Sequence, residues 1–564
     1  MRVDGKPEGL RQSMSWFHTW SGLLLGWLLY AVFFTGTLSY FLDEVNDWMR
    51  PELHSSVPRN NALSAEKAVA TLQTLAPEAG NWTINLPNAR QTAVEAMRRP
   101  QGAQGREGMK RVQLDAATGD VIPVRETRGG SFLYRFHFEL YAMPRIWARW
   151  IVGIATFVMF VAIISGVITH KKIFTDFFTF RPRKGQRSWL DAHNATAVMA
   201  LPFHIVITFS GLLLLMTMLM PWGADAVYDG QGNRFNAERR GMVMAPNGQG
   251  PANAQAGGQR EGRGRGEDAQ AKSVDLAPIA PMLAAAQVQW GDRQVGSINI
   301  QNPNTRRATV ELREEGGQSL LNRGTGARLL FDGVTGEEKE AASVRDVSSA
   351  AAVMNSMISV HLGRFADPAV RWLLFLSGVV GTFMAATGLV MWVVKRQPER
   401  RKLGYTPKGH RLVEVLNVAA IGGLSVAVAG YFWVNRLLPV EMAQRSAAEI
   451  NCFFVIWLLC VVHAAIRPHA KAWLEQMALA ALAFVLLPLL NVFTGGSGLW
   501  VTIPNAQWSI AGFDCMMLAL ACVHAAVVCH LVKRTSAKSR AAAASKVTGV
   551  APMKTALQAQ EEQA

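Results

Sequence analysis

Hydrophobic positions gather into eight runs, at roughly 20–42, 147–169, 195–220, 369–394, 412–438, 450–466, 473–493 and 509–532. Several reach the ~20 apolar residues that a bilayer core demands of a helix. The pattern predicts a polytopic α-helical membrane protein with about eight transmembrane helices. Two long polar segments, 43–146 and 221–368, interrupt the first four runs, and there the period changes. "LSAEKAVATLQTLA" (63–76) spaces its apolar residues as a helix does. "WTINLPNARQTAVEA" (82–96) and "VQLDAATGDVI" (112–122) then read as strands and turns. The second segment repeats the order with "LAPIAPMLAAAQ" (276–287), "SINIQNPNTRRATVEL" (297–312) and "LLFDGVTGEE" (329–338). Ile84-Asn85-Leu86 matches Ile298-Asn299-Ile300, and the D-x-x-T-G element at Asp115–Gly119 recurs at Asp332–Gly336. Such an element suits a hairpin turn whose glycine takes φ > 0. Two small α/β domains are therefore expected, the second interrupted by a flexible linker rich in Gly, Gln, Ala and Arg at 229–272.

Half of the residues are hydrophobic, which is at odds with a soluble enzyme. Arg2, Lys6 and Arg11 precede the first run as in a signal peptide. Its apolar stretch, from Gly22 to Leu42, exceeds the ~7–15 residues of such a segment, so an uncleaved anchor is expected. A net charge of +16 raises nucleic acid as a partner, and the placement of that charge removes it. Lys171, Lys172, Arg181, Arg183, Lys184 and Arg187 fill one short loop. Lys395, Arg396, Arg400, Arg401, Lys402, Lys408 and Arg411 fill another, and Lys533, Arg534, Lys538 and Arg540 open the tail. Basic loops at alternate exits are the positive-inside signature, so the charge reports topology beside membrane lipid.

Both termini are then cytoplasmic, and the polar segments face the periplasm of a bacterial-type inner membrane. The expected division is 1–42 (N-terminus and first span), 43–146 (first domain), 147–220 (second span, loop and third span), 221–368 (second domain), 369–394 (fourth span), 395–411 (basic loop), 412–532 (four accessory spans) and 533–564 (tail). All five cysteines fall in the last spans, which excludes a disulfide framework in the polar segments. Cys515, Cys522 and Cys529 recur every seven residues and read as packing.

The repeat extends into the membrane. His18 precedes Thr35-Gly36 by 17 residues, and His193 precedes Ser210-Gly211 by the same 17. "HFELYAMPRIWARW" (137–150) and "HLGRFADPAVRW" (361–372) share a histidine, then aromatic-Ala, Pro and Arg-Trp. From Arg149 and Arg371, 17 residues lead to the glycines of Ser165-Gly166 and Thr387-Gly388. The first four spans thus read as two parallel copies of one unit about a pseudo-two-fold axis along the membrane normal. None of these spans carries the broken-helix, acidic features of a coupling site.

Of the 12 histidines, four obey the repeat: His18 and His193 are mates at the cytoplasmic side, His137 and His361 at the periplasmic side. His170 corresponds to Trp392 and His204 to Leu29, so these two are alternative ligands only. A b-type haem takes two imidazoles on opposite sides of its iron, often from different helices, in an apolar slot. Small residues near the ligands (Gly22, Ala142, Ala197, Ala366) give the macrocycle room. Arg149 and Arg371 sit where guanidinium forks would meet propionates. Zinc fits less well, because the pairs lack Cys or carboxylate partners. A lone interfacial histidine is ordinarily a hydrogen-bonding group; two symmetric pairs favour ligation. "CVVHAAI" (460–466) and "CVHAAVV" (522–528) place His463 and His524 near one side, a weaker candidate for a third site.

"FHTWSGLLLGWLLYAVFFTGTLSYFLDE", "HLGRF...RWLLFLSGVVGTFMAATGLVMW" and the two D-x-x-T-G domains resemble the PepSY-associated transmembrane proteins across residues 10–396. That family comprises iron-regulated inner-membrane proteins of Gram-negative bacteria and includes haem-containing ferric-siderophore reductases. The resemblance implies two b-type haems, ligands at His18, His137, His193 and His361, and electron delivery to a ferric siderophore in the periplasm. No G-x-G-x-x-G follows a strand, so reducing equivalents are expected from a quinol or a separate cytoplasmic donor. A non-redox protein regulating a periplasmic partner and a transporter of siderophore or iron are the competing classes.

Overall fold

The structure, a computed structural model, describes residues 9–57, 60–103, 108–170, 172–182, 184–220, 222–227, 274–315, 320, 327–339, 349–363 and 365–547. The expected linker at 229–272 lies outside the described residues. Among the described residues seven helices are long and apolar enough to cross a membrane, or eight when a bent pair counts as one span.

The first run forms α1 (Leu10–Leu38), which passes through a 3-10 turn into α2 (Leu42–Trp48). Beyond it stand α3 (Asn61–Leu75), four strands, the short helix α4 (Gly130–Glu139) and the second span α5 (Arg145–Thr169). The third run departs from the single span expected of it. Two helices, α6 (Gln186–Met199) and α7 (Leu201–Leu219), meet at an angle of 68°. Pro202 offers no N–H to the carbonyl of Val198 and its ring crowds that carbonyl, so the helix breaks at Ala200. The expectation of unbroken spans is thereby corrected. The second polar segment supplies α8 (Ile279–Trp290), four more strands and α9 (Ser349–Leu362), and α10 (Pro368–Lys395) returns through the apolar layer. α1 packs on α5 and α10, α6 on α10, and α7 on α5, closing a four-membered core.

The two α/β domains expected from the sequence are one body. Strands β1 (Ala79–Asn85), β2 (Val94–Pro100), β3 (Lys110–Leu114) and β4 (Val121–Ile122) belong to the first segment. The second supplies β5 (Val295–Gln301), β6 (Thr309–Glu314), β7 (Arg328–Asp332) and β8 (Glu338–Lys339). They form a single eight-stranded antiparallel sheet, β4-β3-β2-β1-β5-β6-β7-β8. β1 and β5 pair antiparallel with Ile84 opposite Ile298 and Thr83 opposite Asn299. Each is an edge strand of its own half, and an unpaired strand edge finds its cheapest partner in another edge. Ala65 and Leu72 of α3, with Met282 and Ala286 of α8, cover one face over Trp82, Ile84, Ile298 and Ile300, all buried. Each half turns on its D-x-x-T-G element. Asp115 Oδ1 accepts the N–H groups of Ala117 and Thr118, both at 2.9 Å, and Asp332 Oδ1 those of Val334 and Thr335 at 2.8 and 3.0 Å. Gly119 and Gly336 take φ of 81° and 78°, as the turn requires.

The last four spans begin with α11 (Lys408–Val418), which a five-residue π-helical turn joins to α12 (Leu424–Leu437). α13 (Arg445–Ile466), α14 (His469–Phe493) and α15 (Trp508–Val547) follow. Polar groups at one end of this unit grip the start of the first polar segment. Trp48 stacks on Phe513 at 4.4 Å and donates its indole N–H to Asp514 at 2.8 Å. Ser509 donates to Asp47 at 2.6 Å, and Arg436 reaches the Trp48 carbonyl and, at 2.7 Å, Asn491. Arg445 and Glu449 form a fully buried pair, and Glu449 also accepts from Thr127 at 2.6 Å and Asn435 at 2.8 Å. Breaking one partner of such a pair costs about 3–5 kcal/mol.

His54, buried beside this network, donates to the Asp47 carbonyl at 3.1 Å. Burial first, then the charge of Arg436, pushes its pKa down to about 4 from 6.5. The unfolded chain therefore binds a proton that the folded chain refuses, between pH 6.5 and about 4. Stability is present above that window and falls by ~3 kcal/mol as pH drops through it. His54→Gln should flatten the dependence of the melting temperature on pH between 7.5 and about 4. An unchanged slope in the variant would contradict this assignment.

Candidate functional site

Four histidine rings meet in two pairs, and each ring is fixed in the same way. His18 Nδ1 lies 2.9 Å from the carbonyl oxygen of Ala162, and His193 Nδ1 lies 3.0 Å from that of Met384. His137 Nδ1 is 2.7 Å from the Val32 oxygen, and His361 Nδ1 is 3.0 Å from the Ile207 oxygen. Each carbonyl belongs to the residue four positions before a glycine: Gly166, Gly388, Gly36 and Gly211. In a helix those two positions lie one above the other, so a side chain at the second would shield the carbonyl of the first. A Cβ built on these glycines would meet the imidazole ring at 3.2 Å for Gly166, 3.2 Å for Gly388, 2.6 Å for Gly36 and 3.1 Å for Gly211. The missing side chain is what admits the ring.

The hydroxyl beside three of the glycines adds a second contact. Ser165 and Thr387 lie 3.3 Å from His18 and His193, and Ser210 lies 3.0 Å from His361. Thr35 instead donates to Ala31 at 2.7 Å. A carbonyl accepts only, so Nδ1 carries the proton and Nε2 keeps its lone pair. That is the tautomer in which a histidine ligates a metal through Nε2, with the other nitrogen held by an outer partner.

His18 and His193 have ring centroids 6.3 Å apart, and His137 and His361 have theirs 6.1 Å apart. Two imidazoles joined by a direct hydrogen bond reach about 5 Å between centres, from a ~3 Å contact and roughly 1 Å on each side. A metal on a common axis, with bonds of about 2 Å to each nitrogen, brings the centres to about 6 Å. Both gaps suit the second case. Among the described residues no group of three or more His, Cys, Asp or Glu could hold an ion. Each pair thus offers two ligands and no third, which suits a metal whose remaining positions are filled by a planar macrocycle.

His137 stands in the last turn of α4 and His361 in that of α9, both just before a span. Together they border a cavity of about 520 Å³ among α1, α5 and α7. Arg149 and Arg371 line it, as does Arg90, which sequence reasoning missed. Arg149 pairs with Glu139, while Arg371 stands 3.7 Å from Glu44. Arg90 reaches down from the turn between β1 and β2 to Glu44 and Asp43, both at 2.6 Å. No sequence signal marked it, because the contact depends on how the sheet sits over α2.

The other candidates stand apart. His170 faces Asp176 at 3.5 Å. His204, buried, packs its ring on Phe33 at 6.0 Å and leaves Nε2 without a hydrogen bond. His463 is taken up by Glu475 at 2.8 Å, and His524 bonds the Leu520 carbonyl at 2.7 Å, so the two do not form a pair. Of the small residues singled out, Gly22 has nothing within 4 Å of a built Cβ. The glycines that matter are those of the four hydroxyl-Gly pairs, visible in the sequence only as markers of the repeat.

A family model described as the PepSY-associated TM region matches residues 15–395. The chain belongs to this family. The PepSY-associated match takes in both histidine pairs, all four glycines and the whole sheet, and it ends at Lys395, before the four candidate spans that begin at Lys408. No curated protein matches the chain.

Proposed function

We propose that this PepSY-associated protein is a reductase that holds two b-type haems and passes electrons across the inner membrane to ferric siderophore iron in the periplasm. The observation that carries the reading is the pair of imidazole gaps, 6.3 and 6.1 Å between centroids, each with both Nδ1 groups tied to backbone. Bound there, haem iron would supply reversible one-electron chemistry at two depths. His18 with His193, and His137 with His361, would hold the two irons. Arg149 and Arg371 border the cavity where propionate carboxylates would need cationic partners. Reduction of the substrate iron to Fe(II) loosens the hard oxygen donors of a siderophore, and a quinol or separate cytoplasmic donor supplies the electrons.

In this reading both termini lie in the cytoplasm and the sheet in the periplasm, and its support is the positive charge of the short loops at alternate exits. The pseudo-two-fold repeat belongs to the same proposal. Its support is that Ile84 lies opposite Ile298, its counterpart in the sequence match, and that four glycines meet four histidines in one geometry.

The 68° break between α6 and α7 favours a second reading, a transporter of siderophore or iron, because transport sites form at broken helices. Pro202 accounts for that break, however, and Asp191, the only carboxylate on α6 and α7, is held by Arg181 at 2.8 and 3.0 Å. The deciding experiment is a visible spectrum of the purified protein, oxidised and then dithionite-reduced. A low-spin b-type signal is expected. A stable protein without one would sink the reductase and leave the transporter or a non-redox regulator of a periplasmic partner.

A further inference from the structure

A second cleft, of about 300 Å³, opens between the core and the accessory helices, where α4 turns into α5 beside the start of α13. Arg128 just before α4, Arg135 on α4 and Arg145 at the start of α5 reach it, and Phe136, Tyr141 and Ile450 form apolar parts of its wall. Its one carboxylate, Glu139, is already taken up by Arg149 and stands 3.7 Å from Arg135. Among the described residues Arg128 and Arg145 make no ion pair. The cleft therefore carries cationic charge that its own walls leave unbalanced. An anion is the missing partner, and guanidinium groups favour phosphate, whose oxygens match their planar fork.

The depth of the cleft decides what carries that phosphate. Arg145 is the first residue of α5 and Arg445 the first of α13, so the cleft lies level with the ends of two membrane spans. Trp147, 64% exposed, follows at once, and Tyr141 is exposed on the adjoining turn. Such aromatics settle at the headgroup layer. Beyond them α5 continues with exposed Ile151, Ile154 and Phe157, a lane for acyl chains. We infer that the cleft binds the phosphate of an anionic phospholipid, whose tails lie along α5 and whose headgroup sits between the family core and the accessory unit. The Glu139–Arg149 pair is the partition between this cleft and the histidine cavity. The inference does not depend on the redox reading.

Native mass spectrometry of the full chain in mild detergent tests it, with phosphatidylglycerol, phosphatidylcholine and inorganic phosphate titrated in turn. One phosphatidylglycerol should bind at least about tenfold more tightly than phosphatidylcholine, whose phosphate is the same but whose choline cation cancels its charge and is repelled by the three guanidinium groups. The Arg128→Gln/Arg145→Gln double variant should bind it about a hundredfold more weakly, while Arg128→Lys/Arg145→Lys, which keeps the charge, should retain most of the affinity. Equal binding of both lipids by the unaltered protein, or equal affinity in the Gln variant, would overturn the proposal. So would displacement of the lipid by millimolar inorganic phosphate, which would make the ligand a free anion. Because the lipid comparison needs no variant, a double variant that fails to fold still leaves a decisive result.

Discussion

His137→Ala is expected to lower the haem content of the purified protein from two per chain to one. The reason is the independence of the two gaps. His137 shares its 6.1 Å separation with His361 alone, whereas His18 and His193 keep theirs of 6.3 Å at the other end of the four-helix core. Without one imidazole of a pair, the other would be left to hold the group alone. His361→Ala should therefore give the same content as His137→Ala, and the double variant should be no worse than either, because members of one unit are not additive. His170→Ala and His204→Ala should keep both haems, since neither ring faces a partner imidazole in the structure. Haem per chain, assayed after extraction, is the measurement. Two haems retained in both His137→Ala and His361→Ala would mean that the pair near the sheet holds no haem.

The second large effect touches no ligand. Gly36→Ala places a Cβ 2.6 Å from both Cε1 and Nδ1 of His137. That ring cannot withdraw without giving up its bond to the Val32 carbonyl at 2.7 Å. Overpacking of this kind costs about 1–3 kcal/mol, or roughly a 5- to 150-fold weaker hold on whatever the ring ligates. Gly166→Ala and Gly388→Ala, whose new atoms would stand 3.2 Å from the ring, should weaken the other pair less. Gly22→Ala, with open space around it, should change nothing. Retention of haem by reconstituted variants during a chase with apomyoglobin would rank them. An order other than Gly36 as the most sensitive and Gly22 as the least would refute the role given to the missing side chains.

Much of the site was readable because a helix converts spacing into position. An interval of 17 residues between His18 and Gly36's neighbour, repeated from His193, marked equivalent depths before any contact was known. The glycines were also in view, but their purpose was not. Gly166 serves His18, which is 148 positions away in the chain, and no periodicity within either helix records which neighbour lies alongside. For the same reason Gly22, adjacent in sequence to a ligand, was a misleading choice, and Arg90 was not a candidate at all.

The sequence by itself determined the number and order of the apolar spans, the direction expected from their basic loops, the D-x-x-T-G turns and the histidines worth pairing. All of these rest on local rules: transfer of about 20 apolar residues into lipid, the charge of short loops and the backbone freedom of glycine at Gly119 and Gly336. Only the tertiary structure decided that the two α/β units share one sheet, since β1 meets β5 through backbone groups that every sequence carries. It alone decided that Arg436, Asp514 and Ser509 clamp the accessory helices to Trp48 and Asp47, and that Glu449, paired with Arg445, takes Thr127, because buried charges must find partners wherever the fold brings them. And it alone set the two imidazole gaps, which are distances between helices and so belong to packing rather than to any one stretch of the chain.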